Sequence, residues 1–312
     1  MAAIQTVLGP IEADELGFTL SHEHIMVSNG EDWQHYPWLY DRQRTLDSAI
    51  EKMRELKAGG VDTIIDLTTP DLGRDIEFMV QASEASGLQV VAATGIWLDP
   101  PRSIMERDMD ATADIFVHEL EEGIGRTSVR AAVIKVANES AEFEEPQLRI
   151  LRAASRACSR TGRPINTHHN ALLQVGTAQV RIFKEERVPM DRVCIGHSGD
   201  STDIDYLESL LNDGVYLSLD RYPGRAPRAT WEQRSQVVKA LLDRGWGERL
   251  MLGHDGWVAT GIRAGEPGTA HPYAWTSSSP YNPDGLLHLS RVAIPGMLEI
   301  GITQDRVDML MR

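Results

Sequence analysis

Short, almost continuously apolar stretches alternate along the chain with longer stretches whose apolar residues recur at helical spacing. Eight of the short stretches have the length of a strand, and most lack the alternation of apolar and polar residues. Continuous apolar character is typical of parallel strands that are covered by helices on both faces. The predicted strands are 18–22, 62–68, 89–95, 131–137, 164–169, 193–197, 215–220 and 250–255.

The segments between the predicted strands carry apolar residues at i, i+3, i+4 and i+7, as in residues 46–58 and 148–159. This spacing predicts helices that pack one face against a sheet. Several of them stop at a glycine just before the next strand, such as Gly87 and Gly162, where a left-handed C-terminal cap fits. Eight strand-then-helix units predict an α/β fold, and specifically a single (β/α)8 TIM barrel domain over residues 1–312. An open, doubly wound sheet is the alternative.

The longest irregular stretch is predicted for residues 256–286, which follow the eighth strand and are rich in Gly, Pro, Ser and aromatic residues. Loops of this length in a compact domain usually carry function. In a barrel, this long loop would overhang the face formed by the C-terminal ends of the strands.

Composition and charge exclude several classes of function. The 312 residues are 42% hydrophobic and 25% charged, which excludes a disordered chain. The net charge of -15 would repel phosphate backbones and anionic lipids, so we expect neither nucleic acid nor membrane as a partner. The first residues lack the pattern of an export signal, which predicts a cytoplasmic protein. Cys158 and Cys194 are expected to be buried free thiols.

Residue types that bind metals fall at or near the C-terminal ends of several predicted strands, the end at which barrel enzymes carry their chemistry. In the first strand, two histidines flank Glu23, and because side chains alternate along a strand both imidazoles face one way and Glu23 the other. Each residue alone has an ordinary structural explanation, but their common position predicts a metal centre. The residues are His22, His24, His168, His197 and Asp255.

Lys135 interrupts the apolar fourth strand, where an ammonium pointing into a barrel is costly unless it is paired or chemically altered. A buried salt bridge is one explanation. The other is addition of carbon dioxide to the amine, because the resulting carbamate has two oxygens that can bridge two cations. The neighbouring His169 and His254 are expected to face away from the site and to be structural.

The order of these motifs resembles the phosphotriesterase family of the amidohydrolase superfamily, including its phosphotriesterase-like lactonases. The matching segments cover nearly the whole chain: TLSHEHIMV, DLTTPDLGRD, ATGIWLDPP, VIKVA, PINTHH, VCIGHSGDSTDIDYL, LDRYPG, LGHDGW and NPDG. The resemblance implies two divalent metal ions, with zinc as the first expectation and cobalt, manganese or iron as alternatives. It implies that N6-carboxylated Lys135 bridges them together with a hydroxide that acts as the nucleophile. The implied ligands are His22, His24 and Asp255 for the more buried metal and His168 and His197 for the more exposed one.

The resemblance also implies that Asp255 accepts a proton during catalysis and that Asp200 belongs to a relay that carries the proton outward. The relay histidine between them in phosphotriesterases is replaced here by Arg221. Arginine stays protonated, so it can orient Asp255 or the substrate but is a poor proton carrier.

The substrate-side residues give a mixed picture. Arg221 and Tyr222 look like the lactonase branch, whereas Trp97 and the NPDG segment at 282–285 look like the phosphotriesterase branch. Trp97 is expected to wall the pocket near the metals. The net charge of the implied centre is about +1, because the negative charges of Asp255, the carbamate and hydroxide offset three of the four positive charges of two divalent cations. This charge suits a small neutral ester as substrate.

We therefore expect a dinuclear metal-dependent hydrolase of lactones, such as N-acyl homoserine lactones, with promiscuous organophosphate triesterase activity. The main alternative is a phosphotriesterase (aryldialkylphosphatase) proper. A deaminase or amidase of the wider superfamily and a catalytically silent barrel that serves as a binding module are further alternatives. The resemblance also implies a homodimer.

Overall fold

The computed structural model describes residues 3–265 and 282–312. The strands in these ranges are β1 Ile4–Thr6, β2 Gly9–Ile11, β3 Thr19–Val27, β4 Thr63–Asp66, β5 Gln89–Gly95, β6 Val133–Asn138, β7 Ile165–His169, β8 Val193–Ile195, β9 Tyr216–Leu219, β10 Leu250–Leu252 and β11 Gly256–Thr260. The α-helices are α1 Gly30–His35, α2 Arg42–Ala58, α3 Ile76–Ser86, α4 Arg102–Met105, α5 Met109–Glu121, α6 Glu145–Thr161, α7 Val175–Glu185, α8 Ile204–Asn212, α9 Trp231–Asp243, α10 Ile294–Glu299 and α11 Gln304–Leu310.

A parallel sheet organises the described part of the chain. Its strands follow the order β10-β9-β8-β7-β6-β5-β4-β3-β11, so neighbours in space are neighbours in sequence from β3 to β10. Only residues 253–255 separate β10, at one end of this order, from β11, at the other. β10 and β11 are therefore two parts of one discontinuous eighth strand that joins the ends of the sheet. This closure confirms the predicted (β/α)8 TIM barrel.

The discontinuous eighth strand corrects two predictions. Residues 250–255 are predicted as one strand, but the strand ends at Leu252, and β10 pairs with β9. Residues 256–260 are predicted as the start of a loop, but they form β11 and pair with β3. The short segment GWVAT has no clear period, so only its pairing with β3 defines it as a strand. The central part of the predicted long loop, 266–281, lies outside the described residues.

The first barrel strand is longer than the sequence indicates. Residues 18–22 are predicted, whereas β3 continues to Val27 because the apolar residues after His24 pair with β11 on one side. Two predicted helices are also longer in the structure. The predicted helix 46–58 corresponds to α2, Arg42–Ala58, and the predicted helix 148–159 corresponds to α6, Glu145–Thr161.

A short amino-terminal hairpin is absent from the prediction, because strands of three residues are too short to show a period. β1 and β2 pair antiparallel, and the Val7 amide donates to the Val90 carbonyl near the start of β5. The hairpin therefore lies at the end of the barrel where the strands begin, away from the candidate ligands.

Most of the apolar core lies between the strands and the surrounding helices. A small separate cluster of Leu67, Ala93 and Val133, with Ile65 packed against it, occupies the barrel interior. Val133 lies two residues before Lys135 on β6, so both side chains point into the barrel. None of the described helices has both the length and the apolar character needed to span a membrane.

Candidate metal centre

Three of the predicted ligands meet inside the barrel at the C-terminal ends of the strands. His22 and His24 lie on β3, and Asp255 lies between β10 and β11. Asp255 Oδ1 lies 3.3 Å from His22 Nε2 and 3.2 Å from His24 Nε2. The candidate ligand atoms of the three residues lie within 4.8 Å of one another, a spacing that one cation can span.

The other two predicted ligands lie directly beside this group. His168 is near the end of β7, and His197 lies two residues beyond β8. His197 Nε2 and His168 Nδ1 point at each other across 2.8 Å. The ring of His197 stacks on that of His22, with the centroids 4.8 Å apart.

Lys135 lies beneath these ligands and is only 1% exposed. Its Nζ lies 3.1 Å from His22 Nε2, and it forms no ion pair with any carboxylate of the described residues. Burial lowers the pKa of Lys135 to about 8. The adjacent strand approaches closely at Gly95, where a Cβ would collide with the Lys135 carbonyl oxygen. The structure therefore does not support the alternative of a buried salt bridge.

Two of the four histidines share one outer carboxylate, that of Asp220. Its Oδ2 lies 2.7 Å from His22 Nδ1, and its Oδ1 lies 2.8 Å from His197 Nδ1. Burial alone would raise the pKa of Asp220, but the two imidazoles outweigh burial and hold it well below its usual range. Sequence reasoning misses Asp220, although it ends the predicted strand 215–220 and so meets the same positional criterion as the ligands.

The remaining two histidines also have an outer oxygen partner each. His24 Nδ1 lies 2.9 Å from Thr68 Oγ1, and His168 Nε2 lies 2.6 Å from Glu139 Oε1. The hydrogen bond from His168 lowers the pKa of the half-exposed Glu139. Sequence reasoning misses Thr68 and Glu139 as well. Thr68 ends the predicted strand 62–68 but is not a metal-binding residue type, and Glu139 lies in the loop after the fourth strand.

All four imidazoles therefore have one ring nitrogen bonded to an outer oxygen and the other directed at the centre. A hydrogen bond at one nitrogen fixes the tautomer and orients the lone pair of the other, which is typical of metal-ligating histidines. Burial lowers the pKa of His22 to about 4 and that of His197 well below its ordinary value. Both rings are therefore neutral near pH 7, the form that binds metals.

Arg221 links Asp255 to Asp200. Its Nε donates to Asp255 Oδ2 at 2.9 Å, and its Nη1 donates to Asp200 Oδ2 at 2.8 Å. Asp200 also accepts from Arg234 at 2.6 Å and pairs with Arg228 at 3.1 Å. Burial opposes the charge of Arg221, but Asp255 and Asp200 outweigh it and raise its pKa above its already high value. The chain of contacts expected for a relay is present, with a permanently charged guanidinium in the middle.

Trp97 lies at the rim of the site, against His168. Its ring meets the imidazole edge to face with centroids 5.7 Å apart, and its Nε1 lies 3.4 Å from His168 Nδ1. The backbone amide of Trp97 donates to both carboxylate oxygens of Asp71 at 3.1 Å, which fixes the segment that carries the indole. Trp97 therefore lies beside the candidate ligand His168, and its role as the wall of a substrate pocket stays a prediction.

Tyr222 is not at the pocket surface. It is 2% exposed, packs in the core, and lies beneath the guanidinium of Arg234 on α9. Because Arg221 points towards the site, the next side chain points away from it, towards α9. The structure therefore does not support the expectation that Tyr222 contacts a substrate.

The two histidines predicted to be structural face away from the centre. His169 contacts the Gly196 carbonyl at 2.5 Å and Tyr206 Oη at 3.0 Å. His254 contacts Glu23 Oε1 at 2.8 Å. Neither ring takes part in the candidate centre.

Backbone strain concentrates at the site. Three non-glycine residues of the centre have positive φ angles within the described chain: His197 at 63°, Arg221 at 67° and Asp255 at 52°. Such conformations persist only where the surrounding structure enforces them, and they cluster at functional sites.

Comparisons with known proteins point to one family. The sequence model of the phosphotriesterase family matches residues 2–312. A phosphotriesterase homology protein of Mycobacterium tuberculosis is 35% identical over 98% of this chain and 94% of its own. An aryldialkylphosphatase of Saccharolobus solfataricus is 36% identical over 78% of each chain. The solved structure of the phosphotriesterase from Mycobacterium tuberculosis superposes with a TM-score of 0.89 at 34% identity, covering 99% of this chain and 96% of that chain.

Proposed function

The chain belongs to the phosphotriesterase family of metal-dependent hydrolases, and from this premise we propose that it is a dinuclear hydrolase whose main substrates are lactones. N-acyl homoserine lactones are the first members of that class to test. The observation that carries the proposal is the contact chain from Asp255 through Arg221 to Asp200.

The residues at the centre fit two divalent cations. Each imidazole has its outer nitrogen bonded to an oxygen, which leaves a lone pair directed inward. When bound, the cations would polarise the substrate and make a nucleophilic water available near neutral pH. The proposed ligands are His22, His24 and Asp255 for one ion, His168 and His197 for the other, and Lys135 for both.

Lys135 suits a bridging role only in a modified form. Its ammonium has no carboxylate partner among the described residues, and its lowered pKa of about 8 makes the neutral amine more available than that of an ordinary lysine. The neutral amine is the form to which carbon dioxide adds. We therefore include N6-carboxylation of Lys135 in the proposal.

The fate of one proton distinguishes lactones from aryl phosphates. Asp255 is placed to accept the proton released when water adds to the substrate. Arg221 is already fully protonated and cannot pass that proton on to Asp200, so the proton remains on Asp255. The alkoxide released from a lactone is strongly basic and needs a proton to leave, whereas an aryl phosphate releases a weakly basic phenolate. If Asp255 keeps its proton, it can return that proton to the leaving alkoxide, which favours lactone opening over aryl phosphate hydrolysis.

Phosphotriester hydrolysis is the second candidate activity. The similarity to an aryldialkylphosphatase favours it, as does the indole of Trp97 at the rim, which would suit an aromatic leaving group.

The test compares kcat/KM for an N-acyl homoserine lactone with kcat/KM for a neutral aryl dialkyl phosphate, in one metal-loaded preparation. We expect the ratio to be well above one. Arg221→His should lower it, because histidine can carry the proton outward. Arg228→His is the matched control, since Arg228 contacts Asp200 and has no contact with Asp255. A ratio well below one in the unaltered enzyme would assign the site to phosphotriesters.

A further inference from the structure

Asp255 lies at a break in the barrel wall. β10 pairs with β9 and ends at Leu252, and β11 pairs with β3 from Gly256 onward. Across this break the backbone amides lose their regular ladder partners, and Asp255 itself adopts a left-handed φ of 52°. An exposed loop could satisfy such amides with water, but this segment is at the barrel wall, next to the centre. The amides of residues 254–256 therefore need specific acceptors.

Glu23 and its neighbour supply all three acceptors. The His254 amide donates to Glu23 Oε1 at 2.8 Å, and the Gly256 amide donates to Glu23 Oε2 at 2.9 Å. The amide of Asp255, between them, donates to the His22 carbonyl at 2.8 Å. Three consecutive amides thus converge on two consecutive residues of β3.

The side chain of Glu23 is fully buried and commits both of its oxygens to this segment. Its Oε1 also contacts His254 Nδ1 at 2.8 Å, while His254 Nε2 accepts from the Leu289 amide at 3.3 Å. An ionised carboxylate has two equivalent acceptor oxygens, one for each of the two backbone donors. A glutamine has only one acceptor oxygen and would present an amide N–H to one of these donors. The geometry therefore uses the specific chemistry of glutamate and not only its size.

We infer that Glu23 is a positioning residue for Asp255: its carboxylate bonds the backbone on both sides of Asp255 and holds that residue in the conformation that turns its side chain into the centre. The same segment, His22 to His24, then has two functions. Its two histidines face the centre, and the residue between them fixes Asp255 from the outer side of the wall.

The metal-binding consequence of this inference rests on the proposed function, since it takes Asp255 as a ligand. Without Glu23, the amides of His254 and Gly256 lose their acceptors and Asp255 is free to relax from its left-handed conformation. The carboxylate of Asp255 would then leave the group that it forms with His22 and His24. Loss of an outer partner typically weakens metal binding by about 10- to 100-fold.

The experiment compares Glu23→Gln with the unaltered protein in three measurements. Cobalt(II) alone is titrated into metal-free protein against a competing chelator, kcat and KM are measured separately, and hydrogen exchange is followed at single amides. We expect cobalt affinity of the site formed by His22, His24 and Asp255 to fall about 10- to 100-fold and kcat to fall with little change in KM. Exchange should accelerate at residues 254–256 and not across the rest of the barrel.

Glu119→Gln is the matched control. Glu119 is also a largely buried carboxylate with several partners, but it pairs with Arg74 on the outside of the barrel, away from the centre. This variant should lose thermal stability while its cobalt affinity and its exchange at residues 254–256 remain unchanged. Equal effects of both variants on cobalt binding would show that Glu23 acts only through general stability and would overturn the inference.

Exchange in the unaltered protein tests the inference even if Glu23→Gln does not fold. The amides of His254, Asp255 and Gly256 should exchange as slowly as those of the barrel strands, although His254 and Asp255 lie between two strands and Gly256 only begins the second. Fast exchange at these amides would overturn the inference. If the unaltered protein binds no cobalt, the proposed function fails, while the exchange data still decide whether Glu23 restrains this segment.

Discussion

Replacing Asp220 with asparagine tests whether outer oxygens orient the histidines that we propose as metal ligands. Asp220 is fully buried and bonds the Nδ1 atoms of His22 and His197 with its two separate oxygens. Asparagine keeps the shape but has one acceptor oxygen, and its amide group would face one of the two imidazole N–H donors. At least one imidazole must then lose its hydrogen bond or move its proton to Nε2, the nitrogen that faces the centre.

The magnitude follows from the number of contacts. Each lost outer partner should weaken metal binding about 10- to 100-fold, or about 1.4 to 2.7 kcal/mol. Because His22 and His197 belong to different proposed ions, the binding of both ions is at risk from one substitution. The variant should also unfold more easily, by about 3 kcal/mol, because it loses hydrogen bonds to a buried charged group.

The assay is cobalt(II) titration of the metal-free Asp220→Asn variant against a chelator, combined with nitrogen-15 NMR of the histidine rings to identify the tautomers. Glu119→Gln again serves as the control for a general loss of stability. Unchanged affinity for both ions, with both imidazoles still protonated at Nδ1, would refute the orienting role of Asp220.

Two further predictions concern other histidines. Glu139→Gln should lower the affinity for the more exposed proposed ion about 10-fold and leave the affinity for the more buried one unchanged, because Glu139 contacts only His168 among the four candidate ligand histidines. Stepwise removal of the two ions with a chelator measures both affinities. Equal losses at the two sites would contradict this assignment. Acid should destabilise the metal-free protein through His169, because burial lowers its pKa to about 4 while the unfolded imidazole titrates near 6.5. The unfolded chain then binds the proton first as the pH falls, so stability is full above pH 6.5 and about 3 kcal/mol smaller at pH 4. Urea unfolding across this range should show a flatter pH profile for His169→Gln, and an unchanged profile would count against the argument.

The sequence predicts the barrel and the inward-facing ligands because both follow from strong periodic rules. Strands buried on both faces are continuously apolar, and alternation along β3 separates His22 and His24 from Glu23. The position of Lys135 follows in the same way, since a single charge in an apolar strand is conspicuous. The structure brings all of these residues together.

The parts that the sequence does not predict depend on contacts between distant segments. Asp220 has the right position at a strand end, but its pairing with two histidines requires the closed barrel. The split of the eighth strand depends on β3 pairing with residues 256–260, and the role of Glu23 depends on that split. Tyr222 is misplaced by sequence reasoning because the direction of its side chain follows from the strained backbone at Arg221. The homodimer and the cytoplasmic location stay predictions.

The most direct test of the dinuclear centre is the intact mass of the chain under non-denaturing conditions after expression with zinc supplied. We expect the mass of the chain plus two divalent ions plus one carboxyl group on Lys135, with all three additions lost in acid. A chain that carries no ion or a single ion under these conditions, or an unmodified Lys135 beside two bound ions, would contradict the proposed dinuclear centre with its bridging lysine.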